Sequence, residues 1–230
     1  MLRSVYSTSS GKHVFSRAGV LMKELRRALL EAVGVRVGEL GYKYKPKQQA
    51  YWRPFSQGRS SLHLAFIDHR DDFDVVADVA VRFDELEVMI NANNTMLSKA
   101  EKLQTYSLGA ELGNISGQGQ MRWNVTSSAD LEPVADRLVA AFKEIGIPYL
   151  NSASTLEGAY ELLTIPGRSA ALHSPIHLSR AKHIVALAKL LGRMDELSAR
   201  ARESVELLEG TKDAGLQDFK RFVASLDAEV

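Results

Sequence analysis

Cysteine is absent from the 230 residues of this chain, which excludes disulfides, thiolate chemistry and cysteine-ligated zinc or iron–sulfur centres together. Long apolar runs are missing too. None approaches the ~18 residues that a membrane-spanning helix requires, and the mean hydropathy is -0.14. The common catalytic signatures are lacking: there is no GxSxG, no P-loop and no GxGxxG. GQGQ at 117–120 has two glycines, but no Lys-Ser/Thr follows them and they open no helix. Acidic residues do not occur before Glu24.

What is present belongs to an ordinary globular protein, with 45% hydrophobic and 25% charged residues. The length suits one large domain or two small ones and suffices to bury a sizeable core without staples. The net charge of +1 conceals an asymmetry. Residues 1–59 hold 12 lysines and arginines against three acids, a local charge of +9. The remainder holds 17 against 25, a charge of −8. Such a division signals a polyanionic partner, or two parts of one fold that face each other.

The periodicities predict an α+β fold: an N-terminal helix with an antiparallel sheet, then a C-terminal helical bundle. Residues 1–17 are polar and basic without an apolar stretch, so they are expected to form a flexible leader and not a secretory signal, with the cytoplasm as compartment. In the sheet domain, 18–128, the first helix runs over 18–40, where Leu21, Leu25, Ala28, Leu29 and Ala32 form a stripe. Tyr51 to Phe55, interrupted by Pro54, reads as an edge strand. Leu62, Leu64 and Phe66 alternate along the next strand. Over 73–83, Phe73, Val75, Ala77, Val79, Val81 and Phe83 share one face and Asp74, Asp78 and Arg82 the other. That polar second face implies an antiparallel sheet wetted on one side. Leu86 to Ile90 is expected to continue the meander, 97–108 to form a helix, and Met121, Trp123 and Val125 to mark a last strand.

The region 129–230 is expected to be helical, possessing its own bundle or packing on the sheet as one unit. Asp130, Thr155, Ser174-Pro175 and Asp195 are the expected helix starts, and Leu216 to Leu226 forms the last helix. No internal repeat has a convincing period.

The stretch 42–59, YKYKPKQQAYWRPFSQGR, interleaves aromatics with cations. Tyr42, Lys43, Tyr44, Lys45, Lys47, Trp52, Arg53 and Arg59 are therefore the candidate binding surface. Cations neutralise phosphates and aromatic faces stack bases, a chemistry suited to single-stranded nucleic acid. The same composition also suits an edge strand whose aromatics face the core while its lysines deter edge-to-edge pairing. Asp68, Asp71, Asp72, Asp74 and Asp78 around His69 and Arg70 lack the spacing of a calcium loop and read as a solvated hairpin turn. His177 and His183 are six residues apart, so on a helix they diverge by roughly 120° and share no tight face with His173. No metal, cofactor or catalytic residue is expected.

The order of these elements resembles a loosely defined family of bacterial proteins known as a domain of unknown function. The matching residues are Gly41-Tyr42-Lys43 after the first helix, Trp52-Arg53 in a strand, ELGNISGQGQMRWNV, and IPYLNSASTLEGAYELL, within 18–208. The resemblance implies an α+β domain followed by helices in a cytoplasmic bacterial setting, and a binding or immunity role from relatives beside toxin or defence genes. The expected function is accordingly a non-enzymatic protein-binding module. A nucleic-acid-binding module using 42–59, and a hydrolase or transferase using His63, His69 and the acids of 68–74, are the alternatives. No membrane partner is expected, and the sequence leaves self-association open.

Overall fold

The computed structural model describes residues 17–227. The expected leader falls almost wholly outside them, and Arg17 already belongs to the first helix. The fold is α+β: an N-terminal helix, a six-stranded antiparallel sheet, then a series of helices.

Helix α1 (Arg17–Gly38) buries Leu25, Leu29, Leu30, Val33 and Val37 at helical spacing. Each side chain so buried contributes about 1.5–3 kcal/mol. The helix ends at Gly38, and the turn after it closes at Gly41, whose φ of +82° is a conformation that glycine adopts without strain. The chain then enters β1 (Lys43–Lys45), β2 (Ala50–Phe55), β3 (Gly58–Asp68) and β4 (Phe73–Phe83), paired antiparallel in that order. Strand β5 (Leu108–Glu111) pairs with one end of β4 and β6 (Trp123–Val125) with the other.

Alternation separates two faces. Leu62, Leu64, Val75, Ala77, Val79 and Val81 are sealed on the inner face. His63, Ala65 and Ile67 of β3, with Asp74, Asp78 and Ala80 of β4, lie partly exposed on the outer one. Gly58 sits where β2, β3 and β4 crowd together. A Cβ there would collide with the carbonyl of Arg82, so the turn admits no side chain.

Helix α2 (Asp84–Asn91) replaces the expected strand over 86–90. Three acids, Asp84, Glu85 and Glu87, occupy its first turn, where they complement the helix dipole. Over 97–108 the structure has only α3 (Lys99–Lys102), started by a Ser98–Glu101 capping box, before Leu108 and Ala110 turn inward as β5. Tyr51 to Phe55 is an edge only in its second half. The three-residue β1, too short to leave a period in the sequence, pairs with Ala50 to Trp52, and among the described residues Arg53, Pro54 and Phe55 pair with β3 alone.

Helix α4 (Leu112–Ile115) precedes β6, and α5 (Leu131–Ala141) follows it. Asp130 does not cap α5; its carboxylate folds back onto the amides of Thr126 and Ser127. Gly146 and Pro148 do not end the helical run either. It passes through a π turn (Phe142–Gly146) into α6 (Ile147–Ala153). Thr155 caps α7 (Leu156–Thr164) as expected. Helices α8 (Ser169–His173), α9 (His177–Leu190), α10 (Met194–Gly210) and α11 (Leu216–Asp227) complete the chain. Ile176, not Ser174, precedes the first residue of α9, and α10 begins at Met194, ahead of Asp195. One cluster of buried side chains runs from Leu25 of α1 through the sheet to Leu226 of α11. Among the described residues, no helix is long and apolar enough to cross a membrane.

Candidate functional site

Strand pairing divides the basic-aromatic stretch between the two sides of the sheet. Tyr42 is 2% exposed. Its hydroxyl shares a hydrogen bond with Ser60 Oγ at 3.1 Å, and its ring meets Phe142 edge-on at 5.2 Å. Tyr51 is fully buried and donates to the Leu30 carbonyl of α1. Burial pushes both hydroxyl pKa values up. Tyr44 packs on Tyr51, Phe55 packs on Phe83, and the Arg53 guanidinium covers Tyr42 at 5.0 Å. Trp52 points the other way. It is the register partner of Lys43 and Ser61, and it is the one aromatic of the stretch whose neighbours are cations on the outer face. Lys43 and Lys47 are exposed.

The Trp52 ring has Arg59 at 4.1 Å and Lys45 at 5.4 Å, both within the range of a cation–π contact. Arg59 reaches over from β3, also lies 5.5 Å from the Tyr106 ring, and donates from Nη2 to the Leu103 carbonyl at 2.7 Å. Trp52 and Arg59, with Arg82, form one wall of a cleft of about 530 Å³ between the outer sheet face and the α2–α3 segment. Gln48, Asp84, Val88 and Gln104 line it as well. Two apolar side chains stand at its rim, Val88 (66% exposed) and Leu103 (64% exposed).

Two arginines face each other across β3 and β4, Arg59 opposite Arg82, and their charges are handled differently. Arg82 is 2% exposed: Nε donates to Asp84 at 2.8 Å, while Nη1 donates to the Lys102 and Thr105 carbonyls and to Thr105 Oγ1. Its Nη1 also lies 3.8 Å from Glu87. Arg59 has no carboxylate within ion-pair distance among the described residues, and burial lowers its pKa. Its Nε, and Nε1 of Trp52, are buried without an acceptor.

Beside the cleft lies a buried polar network that the sequence did not disclose. Glu87 of α2, 1% exposed, accepts from His183 Nε2 at 2.8 Å and Ser107 Oγ at 2.9 Å on one oxygen, and from Asn91 Nδ2 at 3.2 Å on the other. Burial opposes the charge, but the bonds from His183, Thr105 and Ser107 outweigh it and hold the Glu87 carboxyl down to about 2. Nδ1 of His183 faces the Ser179 carbonyl at 2.7 Å. Both ring nitrogens thus face oxygen atoms at hydrogen-bond distance. All three of Glu87, Ser107 and His183 are sealed from solvent, and the network ties α2 to α9.

The residues of the enzymatic alternative stay apart. His63 pairs with Asp78 at 3.6 Å in the middle of the outer face, and His69 with Asp74 at 3.2 Å at the β3–β4 turn. Asp74 and Asp78 lie four residues apart on one strand, roughly 13 Å. His173 stacks on Tyr149 and shares a 3.1 Å hydrogen bond with its hydroxyl, so it has a different partner from His183. Among the described residues no group of three or more metal-ligating side chains comes together. No family model, no curated protein and no solved structure matches the chain.

Proposed function

We propose that the protein is a non-enzymatic protein-binding module, and that its partner docks an acidic segment on the outer sheet face around Trp52. The observation that carries this reading is the fate of the cations there. Lys45 and Arg59 lie over one aromatic ring on a partly exposed face, Lys43 is the register partner of that residue, and none of the three has an acid at ion-pair distance among the described residues. Charge complementarity then favours an acidic partner. The resemblance noted above adds the immunity-type form of the reading and a bacterial cytoplasmic setting.

A protein partner is favoured over nucleic acid because stacking needs free aromatic faces. Tyr42 and Tyr51 are in the core, and a guanidinium already covers Trp52. The test is cross-linking of the tagged protein in lysate, with and without nuclease, followed by mapping of the cross-linked residues. Cross-links from an acidic protein segment to Lys43, Lys45 or Lys47 that survive nuclease and are lost in Trp52→Ala support the reading. Cross-links confined to the helical region, or material removed by nuclease, overturn it.

A further inference from the structure

We propose that Arg59 and Trp52 form a carboxylate-recognition site, which takes the side chain of a glutamate or aspartate flanked by apolar residues in the partner segment. The inference deepens the reading above and rests on its choice of face and partner.

Three features of the cleft converge on that ligand. The first is charge. Arg82, the neighbouring cation, spends Nε and Nη1 on Asp84, Thr105 and the Lys102 carbonyl. Asp84, the acid in the cleft wall, bonds Arg82 through one oxygen and acts on Arg59 only at longer range. In direct contact Arg59 has only neutral partners, the Leu103 carbonyl and the Tyr106 hydroxyl. An arginine held half-buried next to a second arginine, with no carboxylate at ion-pair distance among the described residues, is a costly arrangement in the empty protein. A carboxylate bonded to Arg59 reduces that cost.

The second is geometry. The guanidinium lies against the indole at 4.1 Å and is anchored through Nη2, so its planar fork is already oriented and loses little freedom on binding. Two donors of the wall, Trp52 Nε1 and Arg59 Nε, are buried without an acceptor. Lys45 adds a second positive charge 5.4 Å from the indole.

The third is the rim. Val88 and Leu103 are large apolar side chains left about two-thirds exposed at the mouth. A bare inorganic anion would leave them uncovered, whereas leucines flanking an acidic residue would bury them. A volume of about 530 Å³ lies within the ~300–1,000 Å³ of ordinary ligand pockets and accommodates a carboxylate with its apolar neighbours.

The experiment is a fluorescence titration with a short synthetic peptide of alternating glutamate and leucine, beside its glutamine counterpart. The chain has two tryptophans, of which Trp123 is 7% exposed in the core, so a ligand-dependent change reports on Trp52. Saturable binding of the glutamate peptide and none of the glutamine peptide is expected. Loss of one charged hydrogen-bonding partner corresponds to about a 10- to 100-fold weakening, expected for Arg59→Gln. Arg59→Lys should recover part of it, because charge returns without the fork. Lys143→Gln, on the exposed side of the π turn, should bind as the parent does. Equal binding by the parent and Arg59→Gln with a parental melting curve overturns the site, as does equal competition by inorganic phosphate. Cross-links on the β1 lysines with an inert Arg59 would sink this inference and leave the binding module standing. Peptide binding at Arg59 with cross-links only to the helices would do the reverse.

Discussion

Glu87 and His183, 96 residues apart in sequence, meet through a 2.8 Å hydrogen bond in a site where neither is more than 3% exposed. The ring gives the carboxylate its shortest hydrogen bond away from water, beside Ser107, Asn91 and the more distant Arg82. Removing one member leaves a buried polar group short of a partner, at a cost of about 1–3 kcal/mol. His183→Ala should therefore lower stability by that order in urea unfolding. Glu87→Gln with His183→Gln should cost less than the two single changes summed, and a double-mutant cycle measures the difference.

The same pair sets the acid limb of stability. The folded Glu87 carboxyl sits at about 2, below its ordinary value of 4.5, so its contribution is fully present above the ordinary value and is lost as pH falls through the folded one. The linked contribution is of the order of 3 kcal/mol. Urea midpoints should fall between pH ~4.5 and ~2, and Glu87→Gln should flatten that part of the profile. An unchanged slope in the variant would refute the assignment.

Gly58→Ala tests the crowding of three strands. The added methyl would meet the Arg82 carbonyl, part of a strand that cannot retreat without breaking its pairing. We expect a loss of more than ~1 kcal/mol, above the usual cost of a surface substitution, read as a lower melting temperature. Tolerance of alanine would mean that β3 and β4 can separate at this end.

Leu29→Ala probes the inner layer. Leu29 is fully buried on α1, and truncation of such a side chain costs about 2–5 kcal/mol. Arg36 on the same helix bonds Glu132 and Asp136 of α5 at 2.6 and 2.7 Å across a solvated surface. Surface pairs contribute only about 0–1 kcal/mol, so Arg36→Ala should change chemical denaturation far less than Leu29→Ala.

Much of the fold was legible because its central strands are long. Eleven residues in each of β3 and β4 allow a period of two to repeat several times, and the α1 stripe repeats over three turns. Strands β1, β5 and β6 have three or four residues each and complete barely one period. Losing β1 had a consequence for the site. Composition identified Lys45, Trp52 and Arg59 as suitable chemistry, but only the pairing of Lys45 with Ala50 and of Trp52 with Ser61 separates them from Tyr42, Tyr44 and Arg53. Glu87 stayed hidden for a different reason. Its signal is a polar pair at Glu87 and Asn91, one helical turn apart on a buried face, and it disappears when the segment is read as a strand. Its partner His183 lies on a distant helix that no local pattern connects to α2.

The short strands at the margins bear on how a partner can be held. One margin of the sheet is β1 with the last three residues of β2, of which Pro54 has no amide to offer, and the other is shared by β5 and β6. Strands of three or four residues offer an incoming chain too few free amides and carbonyls to extend the sheet by backbone pairing. Whatever binds here is therefore gripped by side chains instead of by main-chain ladders. Such a grip is indifferent to whether the partner arrives extended, turned or helical, and it discriminates by the spacing of charged and apolar side chains.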